Sequence, residues 1–248
     1  MTQHLTLLTG ASRGLGRAVA EQLLVRGHRV LALSRSEVDL PVPAGASLEA
    51  WSVDLAEPAA VAARLAAWLA AQDSGGLASA TLINNAGVVS RLAPLSELAS
   101  DDLANAIRVG LEAPLLLTAA FLRATQSWNV PRKVLLVSSG LGRRAMAGSV
   151  SYCAAKAGLD HLARALALEE ASKVNGARVV SLAPGVIDTD MQVQLRGADP
   201  RWFPERQRFE ALKTGGGLDS PAAAAAKLLA YLDRPDFGDP PVGDVRDR

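Results

Sequence analysis

One cysteine in 248 residues, Cys153, rules out an internal disulfide framework and suits a reducing compartment. That thiol and three scattered histidines (His4, His28 and His161) show no metal-ligand spacing, so no metal site is expected. Charge of one sign is not in excess either. Twenty-six Lys and Arg against 25 Asp and Glu leave a formal +1, which gives no electrostatic case for nucleic acid or an anionic membrane as a partner. No basic-then-apolar leader precedes the first apolar segment, and no apolar run reaches the roughly 18 residues of a membrane span. These absences read as a cytoplasmic chain with no nucleic-acid or membrane partner. Aromatics are scarce at 4%, whereas alanine and leucine abound. The length suits one domain, residues 1–248, with a substantial core.

What is present begins at the N-terminus. Leu5–Thr9 is a short apolar run that reads as a buried strand. It enters Gly10-Ala-Ser-Arg-Gly-Leu-Gly16, then an amphipathic helix from Arg17 to Arg26, then a second strand, Arg29–Ser34. Strand, glycine turn, helix and strand form the βαβ unit that holds a dinucleotide pyrophosphate. The glycines permit close backbone approach, and the helix N-terminus offers N–H groups to phosphate. The second strand ends in Ser34-Arg35, where an acidic residue would bind the ribose 2′-hydroxyl of NAD. Arg35, with Arg13 in the turn, suits a 2′-phosphate by charge and fork geometry instead. NADP(H) is therefore expected over NAD(H).

Strand and helix signals alternate along the rest of the chain. Strands are predicted at 48–53, 81–83, 132–137 and 177–182, and helices at 59–72, 101–125 and 151–171. The pattern implies an α/β fold: a single-domain, Rossmann-type, doubly wound parallel sheet with helices on both faces. The nucleotide-binding half spans about 1–130 and the catalytic part about 131–248. The motifs fall just past the carboxyl ends of strands, the edge at which open α/β sheets bind ligands.

Tyr152 and Lys156 stand four residues apart on the predicted helix 151–171 and so share a face. A free phenol, with pKa near 10, is a poor base at neutral pH. A neighbouring ammonium is expected to lower that pKa, the tuning a proton-transfer residue needs. Cys153, between them, is read as an inert packing residue.

Thr9-Gly-x-x-x-Gly-x-Gly16, Asn84-Asn-Ala-Gly87, Ser139, Tyr152-x-x-x-Lys156 and Pro184-Gly185 occur in that order, with Ser139 thirteen residues before Tyr152. The chain resembles the short-chain dehydrogenase/reductase family over nearly its whole length. Ser151-Tyr-Cys-Ala-Ala-Lys156 and Ala183-Pro-Gly-Val-Ile-Asp-Thr-Asp-Met-Gln192 are similar to its sepiapterin reductase and benzil reductase branch. The resemblance implies an NADPH-dependent carbonyl reductase in which Tyr152 donates a proton to the substrate oxygen. Ser139 would orient that oxygen, and Lys156 would tune Tyr152 and bind the nicotinamide ribose. It further implies that Gly10, Ser12, Arg13, Leu15 and Gly16 line the pyrophosphate turn. Asp54 and Leu55 would flank adenine, with Asn85, Ala86 and Gly87 on the adenosine side. Pro184, Gly185, Val186 and Ile187 would cover the nicotinamide. Thr189 would meet its carboxamide, although Thr189 also suits a helix N-cap.

One position departs from the family pattern. Where most relatives carry an asparagine midway along the long helix, this chain has Arg108-Val-Gly110-Leu. Glycine tolerates unusual backbone geometry and leaves room for a water path to the lysine. The resemblance implies substrate contacts from a lid at about 190–215, with Met191 and Trp202, and, at the place of the pterin-anchoring aspartate of pterin-reducing relatives, from Asp244 near the C-terminus. The substrate is read as a small carbonyl compound, a vicinal diketone or a pterin side-chain ketone. A 3-oxoacyl thioester reductase, another alcohol dehydrogenase of the family and a non-catalytic NADP(H) sensor stay open. The resemblance also implies a homodimer or homotetramer built on the helices at 101–125 and 151–171.

Overall fold

In the computed structural model, which describes residues 3–247, the predicted strands form β1 (Gln3–Thr9), β2 (Arg29–Ser34), β3 (Ser47–Ser52), β4 (Leu77–Asn84), β5 (Arg132–Val137) and β6 (Arg178–Ala183). A short seventh, β7 (Val242–Asp244), follows. All pair in parallel, in the order β3-β2-β1-β4-β5-β6-β7. The chain leaves β1 toward β2 and β3, then crosses back to place β4 on the other side of β1. A crevice therefore opens at the carboxyl ends of β1 and β4, where the strand order reverses.

Both faces of the sheet are covered. The first helices are α1 (Gly14–Val25), α2 (Pro58–Ala70), α3 (Ser100–Ile107) and α4 (Ala113–Ala124). Then come α5 (Val150–Ala171), α6 (Asp190–Arg196), α7 (Arg206–Thr214) and α8 (Pro221–Leu232). Strand side chains alternate between the layers. Leu8, Ala32 and Ile83 meet Val19 and Leu23 of α1 and Leu228 of α8. Leu5, Leu7 and Leu82 meet Leu65 of α2, Phe121 of α4 and Leu159 of α5. Each such fully buried leucine is worth about 1.5–3 kcal/mol of transfer free energy.

The helix predicted over 101–125 is not continuous. Between α3 and α4, residues Arg108–Glu112 form a π-helical turn centred on Gly110. Ser100–Ala124 contains an 18-residue window, with a mean hydropathy of 1.3, that passes for a membrane span by length and composition alone. Half of that window is buried within the fold, which packs α4 on α2 and α3 on α5. Helix α1 starts at Gly14, three residues before its predicted start, because the glycine turn itself supplies the first helical turn.

Candidate active site

The glycine turn forms one wall of a cavity of about 680 Å³ at the β1/β4 crevice. Close packing makes glycine obligatory at position 16, where a Cβ would lie 2.0 Å from the Gly10 carbonyl oxygen and 2.5 Å from Asn85 Nδ2. Gly10, Ser12, Arg13, Leu15 and Gly16 all line this cavity. Ser34, Arg35, Asp54 and Leu55 line it from the ends of β2 and β3, and Asn85, Ala86 and Gly87 from the end of β4. Several of these residues also hold the cradle together. Ser34 Oγ accepts from the Ala11 N–H at 2.8 Å. Asn85 Nδ2 donates to the carbonyls of Thr9 (3.0 Å) and Gly10 (3.3 Å). Thr9 Oγ1 accepts from the N–H groups of Asn85 and Ala86 at 2.9 and 3.0 Å. Arg13 reaches across the mouth to Asp190 at 2.9 Å, a well-exposed pair that contributes little to stability. The volume, the backbone donors of the turn and the basic rim fit a dinucleotide.

A second cleft, of about 330 Å³, adjoins the first through Leu15, Asn85, Gly87, Thr189 and Met191, which line both. Ser139, Tyr152 and Lys156 meet there, and Pro184, Gly185, Val186 and Ile187 form its opposite wall. Thr189 does begin α6, but its hydroxyl caps no N–H of that helix. Ser139 Oγ accepts from the Leu141 N–H at 3.2 Å, which leaves its O–H to donate. Lys156 is buried, and its Nζ donates to the Val137 carbonyl at 2.6 Å. An ammonium has three donors, so two remain for groups entering the cleft. Its Nζ stands 5.4 Å from the centre of the Tyr152 ring.

The electrostatics differ from the sequence expectation in one respect. Burial pushes the Tyr152 phenol up to about 12, and a hydrogen bond from Ser139 draws it only part of the way back. The lowering expected from Lys156 is absent; its ammonium is directed at the Val137 carbonyl and is itself destabilised. Burial brings it down to about 8, against the opposing pull of Asp160. A phenol that stays protonated at neutral pH is a proton donor, which suits reduction of a carbonyl.

Behind Lys156 lies a buried network that sequence reasoning missed. Asp160, 1% exposed, accepts from Ser138 Oγ and Ser181 Oγ at 2.7 Å each and pairs with Arg143 Nε at 3.0 Å. Arg143 also donates to the Gly243 carbonyl at 2.9 Å, which ties β7 to the site. The available signal was spacing: Asp160 is four residues after Lys156, on the buried side of a helix that could not otherwise tolerate a carboxylate.

The lid is folded onto the body. Phe203 and Phe209 stack at 5.7 Å and pack with Leu92, Met146 and Leu195. Met191 and Phe209 line the cleft that holds Ser139, Tyr152 and Lys156. Trp202 does not; it borders a separate hollow, with the Arg91 guanidinium 4.8 Å above its ring. Asp244 does not line the cleft either. It is buried on β7, held at 2.8 and 2.6 Å by Arg246, and it is Arg246 that borders the cleft.

A family model described as short chain dehydrogenase matches residues 4–199. The chain belongs to the short-chain dehydrogenase family. Benzil reductase ((S)-benzoin forming) of Bacillus cereus is 33% identical over 243 residues, 96% of each chain. Sepiapterin reductase of Mus musculus is 36% identical over 248 aligned positions, covering 93% of this chain and 92% of its own. A structure from Agrobacterium tumefaciens with bound NADP is similar at a TM-score of 0.77 and 25% identity, covering 99% of this chain and 95% of that one. As a short-chain dehydrogenase the chain is an oxidoreductase, and its seven-stranded parallel sheet with helices on both sides is the fold of its structural relatives.

Proposed function

We propose that the protein is an NADPH-dependent carbonyl reductase acting on a ketone or vicinal diketone. One observation carries the reading: Ser139, Tyr152 and Lys156 converge in a cleft continuous with a dinucleotide-sized cavity. When bound, the nicotinamide nucleotide supplies the hydride. Ser139 and Tyr152 direct their O–H groups at the carbonyl oxygen, so the negative charge that develops there meets donors already in place. Tyr152 gives up its proton to that oxygen. Lys156, one helical turn away, would hold the ribose with its two free donors. The apolar wall of Leu141, Met191, Leu195 and Phe209 shields the reacting carbonyl from water.

Arg13 and Arg35 at the rim of the cavity support NADP(H) over NAD(H), since no acidic residue ends β2. Assembly as a homodimer or homotetramer through α3–α4 and α5 is supported by the exposed Leu115, Val150 and Leu168 on those elements. The free thiol and the near-neutral charge support a cytoplasmic setting. The test is the initial rate of NADPH oxidation, with NADH in parallel, against benzil, other 1,2-diketones, sepiapterin and an acetoacetyl thioester. Turnover of a diketone or of sepiapterin with NADPH is expected. Preference for the thioester would move the protein to the 3-oxoacyl reductases.

A further inference from the structure

Three arginines from three separate segments reach the catalytic cleft. Arg144 follows the turn after Ser139, Arg208 lies on α7, and Arg246 follows β7. With Lys156 they make four basic groups on a wall that, among the described residues, carries no aspartate or glutamate. Two carboxylates just outside the wall hold them in place. Glu205 lies between Arg144 (3.3 Å) and Arg208 (3.1 Å), and Asp244 engages Arg246. The three guanidiniums therefore outnumber their carboxylates by one.

Donor capacity exceeds the internal demand as well. A guanidinium offers five N–H groups in a fixed fork. Arg144 and Arg208 each direct only one terminal nitrogen at Glu205, and Arg246 leaves one terminal nitrogen outside its pairing with Asp244. Their side chains are 47%, 56% and 62% exposed, which places them at the mouth rather than the floor. Tyr152 is buried deeper, and Leu195, Phe209 and Leu212 supply the apolar surface of the cleft. A ligand that matches this layout has an apolar body, a carbonyl at one end and an anion at the other.

We propose that the cleft selects carbonyl substrates bearing an anionic group, a carboxylate or a phosphate, gripped at the mouth by Arg144 and Arg208 and backed by Arg246. The Glu205 bridge holds the two gripping guanidiniums at one spacing, so less ordering is needed when the anion arrives. The inference rests on the carbonyl reductase reading, and it adds what a neutral diketone substrate would leave without a role.

The test compares benzil with 4-carboxybenzil, two diketones that differ by one carboxylate, at saturating NADPH. The carboxylate should raise kcat/KM by about tenfold or more, chiefly through KM, as charge-assisted bidentate contacts do. The advantage should shrink as salt is added, and Arg208→Gln or Arg144→Gln should bring the ratio of the two substrates toward one. Calorimetric binding of both compounds to the enzyme loaded with NADP⁺ reads the same preference without turnover. If neither diketone is reduced but 4-carboxybenzil binds tighter in an Arg208-dependent way, the reductase reading fails and the anion site stands. Equal kcat/KM and equal affinity for the pair, or a preference that both arginine variants retain, would overturn the anion site.

Discussion

Gly110 packs against Ala155, the residue before Lys156, so closely that a Cβ at position 110 would lie 3.1 Å from the Ala155 Cβ. The contact falls in the π-helical turn Arg108–Glu112, so the interruption of the long helix and the placing of Lys156 are one structural feature. Such turns favour residues that accept altered backbone geometry and close approach. Gly110→Asn, which installs the residue most of the family carries there, should therefore overpack this contact. Expected is a stability loss of about 1–3 kcal/mol, with a kcat no higher than that of the parent. Chemical denaturation and steady-state kinetics check this; a rise in kcat at unchanged stability would show that the side-chain amide has a catalytic role this chain lacks.

Lys156 fixes the pH dependence. Its pKa is brought down to about 8 by burial, so the ammonium is present below that pH and lost above it. Reduction that needs the ammonium should lose kcat/KM as pH rises through about 8, by about tenfold per further unit. Asp160 opposes the effect of burial. Removing its charge in Asp160→Asn should lower the Lys156 pKa further and move the alkaline limb to lower pH. A pH–rate profile on both proteins reads the direction, and a limb that stays in place would mean that Lys156 does not set it.

On the proposed function, cofactor choice rests with the end of β2. Arg35 lines the nucleotide cavity, whereas Arg13 is shared with Asp190. Arg35→Asp places a carboxylate where it repels a 2′-phosphate and suits a 2′-hydroxyl. KM for NADPH should rise by about tenfold or more, as expected for loss of a charge-assisted phosphate contact, while KM for NADH falls. Parallel saturation curves for the two nucleotides give the answer, and an unchanged NADPH/NADH ratio would remove Arg35 from recognition.

The parts that were legible in the sequence are those fixed by local chemistry. Gly16 admits no side chain beside Gly10 and Asn85, and Tyr152 and Lys156 follow from helical spacing. β1, β2, β5 and β6 show as apolar runs because they are largely buried on both faces, whereas the edge strand β3 is mostly exposed. β7 was not legible, since three residues carry no periodicity and Val242–Asp244 becomes a strand only by pairing with β6. The direction of the Tyr152 shift is not legible in helical spacing because it follows from tertiary burial of the phenol, and Lys156 Nζ is taken up by the Val137 carbonyl at the end of β5. Trp202 in the lid and Asp244 near the C-terminus are expected at the substrate from their places along the chain, and the structure puts neither on the cleft. The ion pair with Arg246 and the position of Trp202 beside Arg91 are tertiary facts. The Arg144, Arg208 and Arg246 cluster joins three distant segments, and no linear spacing announces it.

The most direct test of the account is NADPH oxidation with benzil by the parent protein and by Tyr152→Phe, with NADPH binding followed by fluorescence in both. The account predicts turnover in the parent, a loss of kcat by about 100-fold or more in the variant, and cofactor affinity within about twofold. NADPH-dependent reduction that survives in Tyr152→Phe at the parental rate would contradict the assignment of Tyr152 as the proton donor.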